Sequence, residues 1–277
     1  MTYCLVGSKG RLGQAIAKTF SHDKTICLER SIYQEWSHSG QADRVSKYFE
    51  STNKSYSTIL VASGLLDPNA SSEDLISINY TLPRNIIDGA TKLGFKVITF
   101  GTVMEGLLNS KNSYVQSKTL LNEYIQSLTA VKSPATHIQL HTLYGLGKPS
   151  PFMFLGQILY ALTNNVAFRM TSGCQLREYH HFLDEAKAIQ NICGSEITGV
   201  VNLSHGKPVS LREIAQHVFL AFDKEGLLDI GALPEPTEEN YDKFFLKSNA
   251  FNDVKLPDTL PAIVNYMKAC YSSEVWK

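Results

Sequence analysis

Tyr114 and Lys118 lie four positions apart, and a tyrosine and a lysine at this spacing can transfer a proton together. In an α-helix, residues at i and i+4 lie on the same face, which places the ammonium beside the phenol. A neighbouring positive charge stabilises the phenolate and lowers a tyrosine pKa from its usual value of about 10. The pair therefore indicates acid–base chemistry if the segment is helical.

The same spacing occurs a second time, at Tyr144 and Lys148, and a chain with 13 tyrosines is expected to contain chance matches. Two glycines lie within the second match and Pro149 follows it, so it is a poor helix. Residues 113–121 contain neither glycine nor proline. We predict that the first match is helical and that the second is a turn at the end of a strand.

A glycine-rich loop lies near the start of the chain, between an apolar strand and a helix. Its pattern is GxxGxxG, with glycines at 7, 10 and 13. Glycines at this junction allow a tight turn and let the backbone approach a pyrophosphate at the helix N-terminus. The loop predicts dinucleotide binding, by Gly7, Lys9, Gly10, Arg11, Leu12 and Gly13.

The second predicted strand is followed by Glu29 and Arg30, which bear on the choice of cofactor. An acidic residue here accepts hydrogen bonds from the adenine ribose of NAD, whereas an arginine accommodates the 2′-phosphate of NADP. Both are predicted cofactor contacts. The choice stays open, with a slight preference for NADP.

Short apolar strands alternate with helices through the first 145 residues. Strands are expected at 4–6, 25–28, 58–62, 97–100 and 137–143, and helices at 14–20, 74–93 and 113–128. This alternation is typical of βαβ units around a parallel sheet. We predict a Rossmann-type, doubly wound α/β fold in which Ala62, Ser63 and Gly64, at the end of the third strand, border the cofactor.

The pattern changes after residues 147–151, which are rich in glycine and proline. Helices are expected at 152–162, after a capping box at Ser210 and Glu213, and at 261–270, with one more strand at 200–203. We predict a dinucleotide-binding domain of residues 1–148 with about 183–204. Residues of about 149–182 and 205–277 form a smaller, C-terminal substrate lobe.

The composition excludes several classes of function. Of 277 residues, 43% are hydrophobic and 19% are charged, and the formal net charge is zero. Nucleic acids and acidic membrane surfaces are bound by basic faces, so neither is an expected partner. No apolar run reaches the ~18 residues of a membrane span, no signal peptide is recognised, and the five cysteines form no CxxC pair. We expect buried, reduced cysteines, no metal site and a cytoplasmic protein.

Further short motifs follow the glycine loop in order. They are Ile78-Asn79-Tyr80, Phe100-Gly101-Thr102, Tyr114 with Lys118, Leu143-Tyr144-Gly145, Arg177 to Asp184, and Val201 to Ser204 before Ser210 to Ile214. With these motifs the chain resembles, over nearly its whole length, the extended short-chain dehydrogenase/reductases that act on nucleotide sugars. The closest pattern is that of 4-ketoreductases such as the dTDP-4-dehydrorhamnose reductases.

This resemblance implies a role for each matching residue. Tyr114 would exchange a proton with a sugar carbonyl or hydroxyl, and Lys118 would hold the nicotinamide ribose. Thr102 would hydrogen-bond the reacting oxygen, with Met104 beside the substrate. Arg177 would grip the substrate diphosphate. Asn79 would either support the cofactor pocket or pack the helix.

The resemblance also narrows the reaction. Dehydratases of this family carry Thr-Asp-Glu where this chain has Thr102-Val103-Met104, and Glu105 comes one place too late. A 4,6-dehydratase is therefore not expected. The chain is short, and only 11 residues separate Thr102 from Tyr114, which favours a 4-ketoreductase over a 4-epimerase with bound NAD.

A non-catalytic, cofactor-binding regulator is the alternative from another class. A homodimer is usual in the family, and residues 80–87 and 120–125, on the fourth and fifth helices, are its expected face.

Overall fold

A computed structural model describes residues 2–52, 56–109 and 112–272. The chain divides into two compact units. Unit 1 is Met1–Leu140 with Glu185–Leu203, and unit 2 is His141–Asp184 with Ser204–Lys277. The first boundary falls after Leu140, whereas the sequence placed it after residue 148. Parts of the predicted domains, at residues 1, 53–55, 110–111 and 273–277, lie outside the described residues.

Unit 1 alternates strands and helices along the chain. Its elements are β1 (Tyr3–Val6), α1 (Arg11–Thr19), β2 (Thr25–Cys27), α2 (Arg30–Tyr33), α3 (Ala42–Ser51), β3 (Thr58–Val61), α4 (Ser72–Ile76), a π-helical segment (Ser77–Thr81), α5 (Leu82–Ala90), β4 (Lys96–Thr102), α6 (Met104–Leu107), α7 (Ser113–Ser127), β5 (Ala135–Leu140) and β10 (Gly199–Asn202). The predicted strands and helices of this part are present, with ends displaced by a few residues.

The central sheet of unit 1 has six parallel strands in the order β10-β5-β4-β3-β1-β2. Residues 3–6 and 58–61 are buried throughout, as expected for strands that are covered by helices on both faces. The order reverses at β1, because β2 pairs with one edge of it and β3 with the other. Ligands of such sheets bind beyond the carboxyl ends of the strands at this reversal. The fold is therefore the predicted Rossmann-type α/β fold.

Unit 2 contains shorter strands and several helices. Its elements are β6 (Thr142–Tyr144), α8 (Phe154–Asn164), β7 (Phe168–Met170), β8 (Leu176–Arg177), β9 (Tyr179–His181), β11 (Val209–Ser210), α10 (Leu211–Ala221), β12 (Leu228–Ile230) and α11 (Thr259–Tyr271), while α9 (Phe182–Cys193) begins here and continues into unit 1. Its core is made by apolar residues from α8, α10 and α11. The predicted capping box is confirmed, because Ser210 Oγ accepts from Glu213 N and Glu213 reaches back to Ser210 N.

Some sequence expectations were wrong. Cys27 and Cys174 are exposed, although the other three cysteines are buried and all five are free thiols. Helix α3 was missed, since its apolar positions are few.

Candidate active site

Helix α7 carries the Tyr-x-x-x-Lys pair. Asn112 caps it, since its side-chain oxygen accepts from Val115 N at 2.9 Å. The helix runs from Ser113 to Ser127, so Tyr114 and Lys118 lie one turn apart on the same face. The prediction that this match is helical is confirmed. The rival match is a strand end and turn, because Tyr144 ends β6 and Gly145 and Gly147 have φ values of 123° and 73°.

The ammonium of Lys118 lies at the carboxyl end of β4. Lys118 is buried, and its Nζ donates to the carbonyl oxygen of Phe100 at 2.9 Å. Burial lowers the pKa of Lys118 to about 8, against the opposing effect of the Glu105 carboxylate. Lys118 is therefore a cation that changes charge close to physiological pH.

The phenol of Tyr114 keeps its proton in this structure. Burial, with a smaller contribution from the negative charge of Glu105, raises the pKa of Tyr114 to about 12. The expectation that Lys118 lowers this pKa is thus not met here, because desolvation of the phenolate and the charge of Glu105 both raise it. A protonated phenol in a partly buried position is suited to donate a proton.

Thr102 is the last residue of β4. Its backbone N–H donates to Glu105 Oε1 at 2.7 Å, and its Oγ1 accepts from Met104 N at 3.3 Å. Met104 begins α6 and is partly exposed. These bonds hold the strand end in one conformation.

Sequence reasoning missed the surroundings of Glu105, which it had considered only as a displaced catalytic acid. The carboxylate is buried and receives hydrogen bonds at Oε2 from Asn122 Nδ2 at 2.9 Å and from Gln139 Nε2 at 3.2 Å. His137 Nε2 lies 3.2 Å from the same oxygen. Burial alone would raise the pKa of Glu105, but the bonds from His137, Thr102 and Asn122 outweigh it and lower the pKa. The sequence offered one sign of this arrangement, because Asn122 is a polar residue one helical turn after Lys118 and so lies on the same face of the helix.

The glycine loop has the geometry that a bound dinucleotide needs. Gly7 has φ 85°, and a Cβ there would lie 2.3 Å from Ser63 N. A Cβ at Gly13 would lie 2.2 Å from the Gly7 oxygen, so helix α1 packs directly on the loop. No side chain caps the start of α1 at Gly10. Its first N–H groups are therefore oriented towards the space in front of the loop, where a phosphate would bind.

The end of β3 is fixed by Asn79, on the π-helical segment. Its Oδ1 accepts from Leu65 N and its Nδ2 donates to Leu65 O, both at 2.9 Å. The same Nδ2 donates to Ser117 Oγ on α7 at 3.0 Å. A Cβ built on Gly64 would lie 3.6 Å from both Asn79 Oδ1 and Lys118 Nζ. Gly64 therefore lies beside Lys118, whereas Ala62 and Ser63 lie against Gly7 of the glycine loop.

The residues expected at the adenosine end lie on the surface of unit 1. Glu29 precedes α2, and Arg30 is the first residue of that helix. Lys9, from the glycine loop, forms an exposed ion pair with Glu29 at 3.3 Å. This pairing balances the charge of Glu29 next to the arginine.

Arg177 belongs to unit 2, on β8. Its guanidinium forms a close ion pair with Glu239 and donates to Leu176 O at 2.8 Å. Arg177 would therefore have to exchange Glu239 for a substrate diphosphate.

No protein-family model matches the sequence, and no curated protein matches it. Solved structures match nearly the whole chain. A dTDP-glucose 4,6-dehydratase from Bacillus anthracis str. Ames, in complex with NAD, has a TM-score of 0.76 and 11% identity over 100% of this chain and 98% of its own. RMD from Pseudomonas aeruginosa, complexed with NADPH, has a TM-score of 0.74 and 12% identity. The match covers 99% of this chain and 100% of that one.

A UDP-N-acetylglucosamine 4-epimerase from Methanobrevibacter ruminantium M1, in complex with UDP-N-acetylmuramic acid, has a TM-score of 0.71 and 14% identity. The match covers 98% of this chain and 97% of that one. The predicted resemblance is thus confirmed at the level of the fold. This chain has the fold of the extended short-chain dehydrogenase/reductases.

Proposed function

We propose that the protein is an NAD(P)-dependent oxidoreductase that reduces the 4-keto group of a nucleotide sugar. The observation that carries this proposal is the helical pair of Tyr114 and Lys118, with the Lys118 ammonium at the carboxyl end of β4. In a sheet of this order the ligand lies at these strand ends. A proton donor placed there serves carbonyl reduction.

The residues present fit a nicotinamide dinucleotide. The uncapped start of α1 and the close packing at Gly7 and Gly13 leave backbone N–H groups for a pyrophosphate. Arg30 would hold a 2′-phosphate, and the Lys9–Glu29 pair reduces the repulsion by Glu29, so we propose a preference for NADP. When bound, the cofactor supplies the hydride.

Each catalytic step on the protein side is assigned to one side chain. Tyr114 Oη donates its proton to the carbonyl oxygen of the sugar as that oxygen gains negative charge. Lys118 would hold the nicotinamide ribose, and its charge favours the tyrosinate that remains. Thr102 would hydrogen-bond the reacting oxygen, and Met104 would contact the sugar. Arg177 would bind the diphosphate.

The acid that contacts Thr102 in the described structure is Glu105, whose Oε1 accepts from Thr102 N at 2.7 Å. Val103 and Met104 occupy the two following positions, and the carboxylate of Glu105 is buried and fully hydrogen-bonded. This supports reduction over dehydration, since the acid pair that a dehydratase uses is missing.

Turnover of a 4-keto-6-deoxy sugar nucleotide with NADPH tests the proposal. We expect Tyr114→Phe to lower kcat by about 10²–10⁴-fold, because the proton donor is lost. The control is Tyr144→Phe, from the rival match, which should retain activity. Equal activity of the wild type and Tyr114→Phe would contradict the role of Tyr114 as proton donor.

Two other results would favour an alternative function over reduction of a keto sugar. Protein that purifies with NAD and interconverts two sugar nucleotides without net oxidation or reduction is a 4-epimerase. Protein that binds the cofactor but turns over no keto sugar is a regulator of the non-catalytic class.

A further inference from the structure

Glu105 is a buried carboxylate that the proposed function does not use. Its side chain is fully buried, and a carboxylate has about four acceptor positions. Backbone and side-chain groups of four residues occupy them, and none of these groups carries a fixed positive charge. An ionised carboxylate in such a place is costly unless it is fully hydrogen-bonded.

The carboxylate connects three elements of unit 1. Thr102 is the end of β4, His137 and Gln139 belong to β5, and Asn122 belongs to α7. Asn122 lies one turn after Lys118 on that helix. Glu105 thus fixes the helix of the proton-transfer pair against the strand end that carries Thr102.

The backbone is built to admit this group. A Cβ at Gly101 would lie 2.0 Å from Glu105 Oε1 and 2.2 Å from His137 Nε2, so only glycine fits beside them. The other ring nitrogen of His137 is held by Thr99 Oγ1 at 2.8 Å. The position of the carboxylate is therefore set from both sides.

The negative charge also lies close to the pair, since Glu105 Oε1 is packed against Gly101 and Lys118 Nζ donates to the carbonyl oxygen of the preceding residue, Phe100. Glu105 raises the pKa of Lys118 and so opposes the effect of burial on the ammonium. It raises the pKa of Tyr114 in the same way. Removing the charge would lower both pKa values.

We propose that Glu105 is a positioning residue, whose buried carboxylate fixes α7 to the end of β4 and balances the positive charge of Lys118. The proposal rests on the proposed function of Tyr114 and Lys118. It assigns Glu105 no contact with substrate or cofactor.

The effect of the Glu105 charge is tested by an NMR titration of Lys118 in protein whose lysines carry ¹³C at Cε. The Lys118 resonance is identified because it is missing from the spectrum of Lys118→Arg. We expect a midpoint near pH 8 in the wild type. In Glu105→Gln the midpoint falls by about one pH unit or more, because the ammonium loses its counter-charge. Glu123→Gln, an exposed carboxylate on the same helix, should leave it unchanged.

The role of Glu105 in fixing α7 to the end of β4 is tested separately, by Asn122→Ala and Glu105→Asp. Asn122→Ala removes the bond to α7 and keeps the charge. Glu105→Asp keeps the charge but withdraws it by one methylene, and it serves also if Glu105→Gln does not fold. Both should lower kcat by about tenfold or more, since small displacements of reacting groups are costly, while Lys118 still titrates near pH 8.

A folded Glu105→Gln protein with the wild-type Lys118 midpoint overturns the charge role. Unchanged kcat in Glu105→Asp overturns the positioning role. The titration needs neither substrate nor cofactor. If the wild type does not reduce the keto sugar, the proposed function fails while the titration still decides the inference about Glu105.

Discussion

At the scale of single residues, the site depends on where each charge is held. Lys118 donates to the Phe100 carbonyl, and Lys9 pairs with Glu29 on the surface. The first charge is desolvated and the second is screened by water, so the same residue type serves two different purposes. We propose that the exposed residues Glu29 and Arg30 set the cofactor preference.

We expect Arg30→Ala to weaken NADPH binding by about tenfold and NADH binding much less, because only NADPH carries a 2′-phosphate for a charge-assisted hydrogen bond. Glu29→Ala is the matched change and should weaken NADH binding more than NADPH binding. Dissociation constants from quenching of protein fluorescence measure both. Equal effects of Arg30→Ala on the two cofactors would contradict the proposed NADP preference.

At the scale of elements, a buried carboxylate also organises unit 2. Glu178, between β8 and β9, accepts from Ser204 Oγ at 2.7 Å and from His205 N at 2.8 Å, and His180 Nε2 lies at 3.2 Å. His180 stacks on His205, with ring centroids 4.2 Å apart. These contacts pack His180 within unit 2.

Acid should destabilise the protein through this cluster. Burial alone would raise the pKa of Glu178, but hydrogen bonds from His180 and Ser204 and the nearby histidines lower it to about 2. A carboxyl group whose folded pKa is depressed stabilises the fold above its unfolded pKa of about 4.3, and this stability is lost as pH falls towards 2. Burial lowers the pKa of His205 to about 4, which adds a loss that begins below about pH 6.5.

Glu178→Gln is expected to lower the free energy of unfolding by about 3 kcal/mol at pH 7, and to flatten its decline between pH 5 and about 2. Urea unfolding at several pH values measures this. The control is Glu213→Gln, which should cost about 1 kcal/mol or less, because glutamine can replace glutamate in a capping box. An equal loss in both variants at pH 7 would contradict the role of Glu178.

At the scale of the whole molecule, the chain forms two compact units, and no helix among its described residues is long and apolar enough to span a membrane. The helices expected to form a dimer face contribute much of their apolar surface to the core of unit 1. Leu82, Ile86, Ile87, Leu121 and Ile125 are all buried there. Exposed apolar side chains remain at Ile76, 39% exposed, and Leu120, 38% exposed.

We keep the homodimer as a proposal and place its face at Ile76 and Leu120. Leu120→Arg should convert a dimer into a monomer, because a charge would be buried without a partner. Light scattering after size-exclusion chromatography measures the mass. Leu220→Arg, at a 60% exposed leucine of α10, is the control and should leave the mass unchanged. A monomeric mass for the wild-type protein would contradict the proposed homodimer.

The sequence by itself determined the alternation of strands and helices, the glycine loop and the helix of Tyr114 and Lys118. These are local patterns, in which the period of apolar residues and the positions of glycine and proline decide the structure. Only the tertiary structure revealed what holds Glu105, Asn79 and Glu178. Glu105 meets His137 across 32 positions because β4 and β5 pair in parallel, and no local pattern records that register. Contacts between residues distant in the sequence also decide the pKa values of Tyr114 and Lys118, since burial exists only in the folded chain.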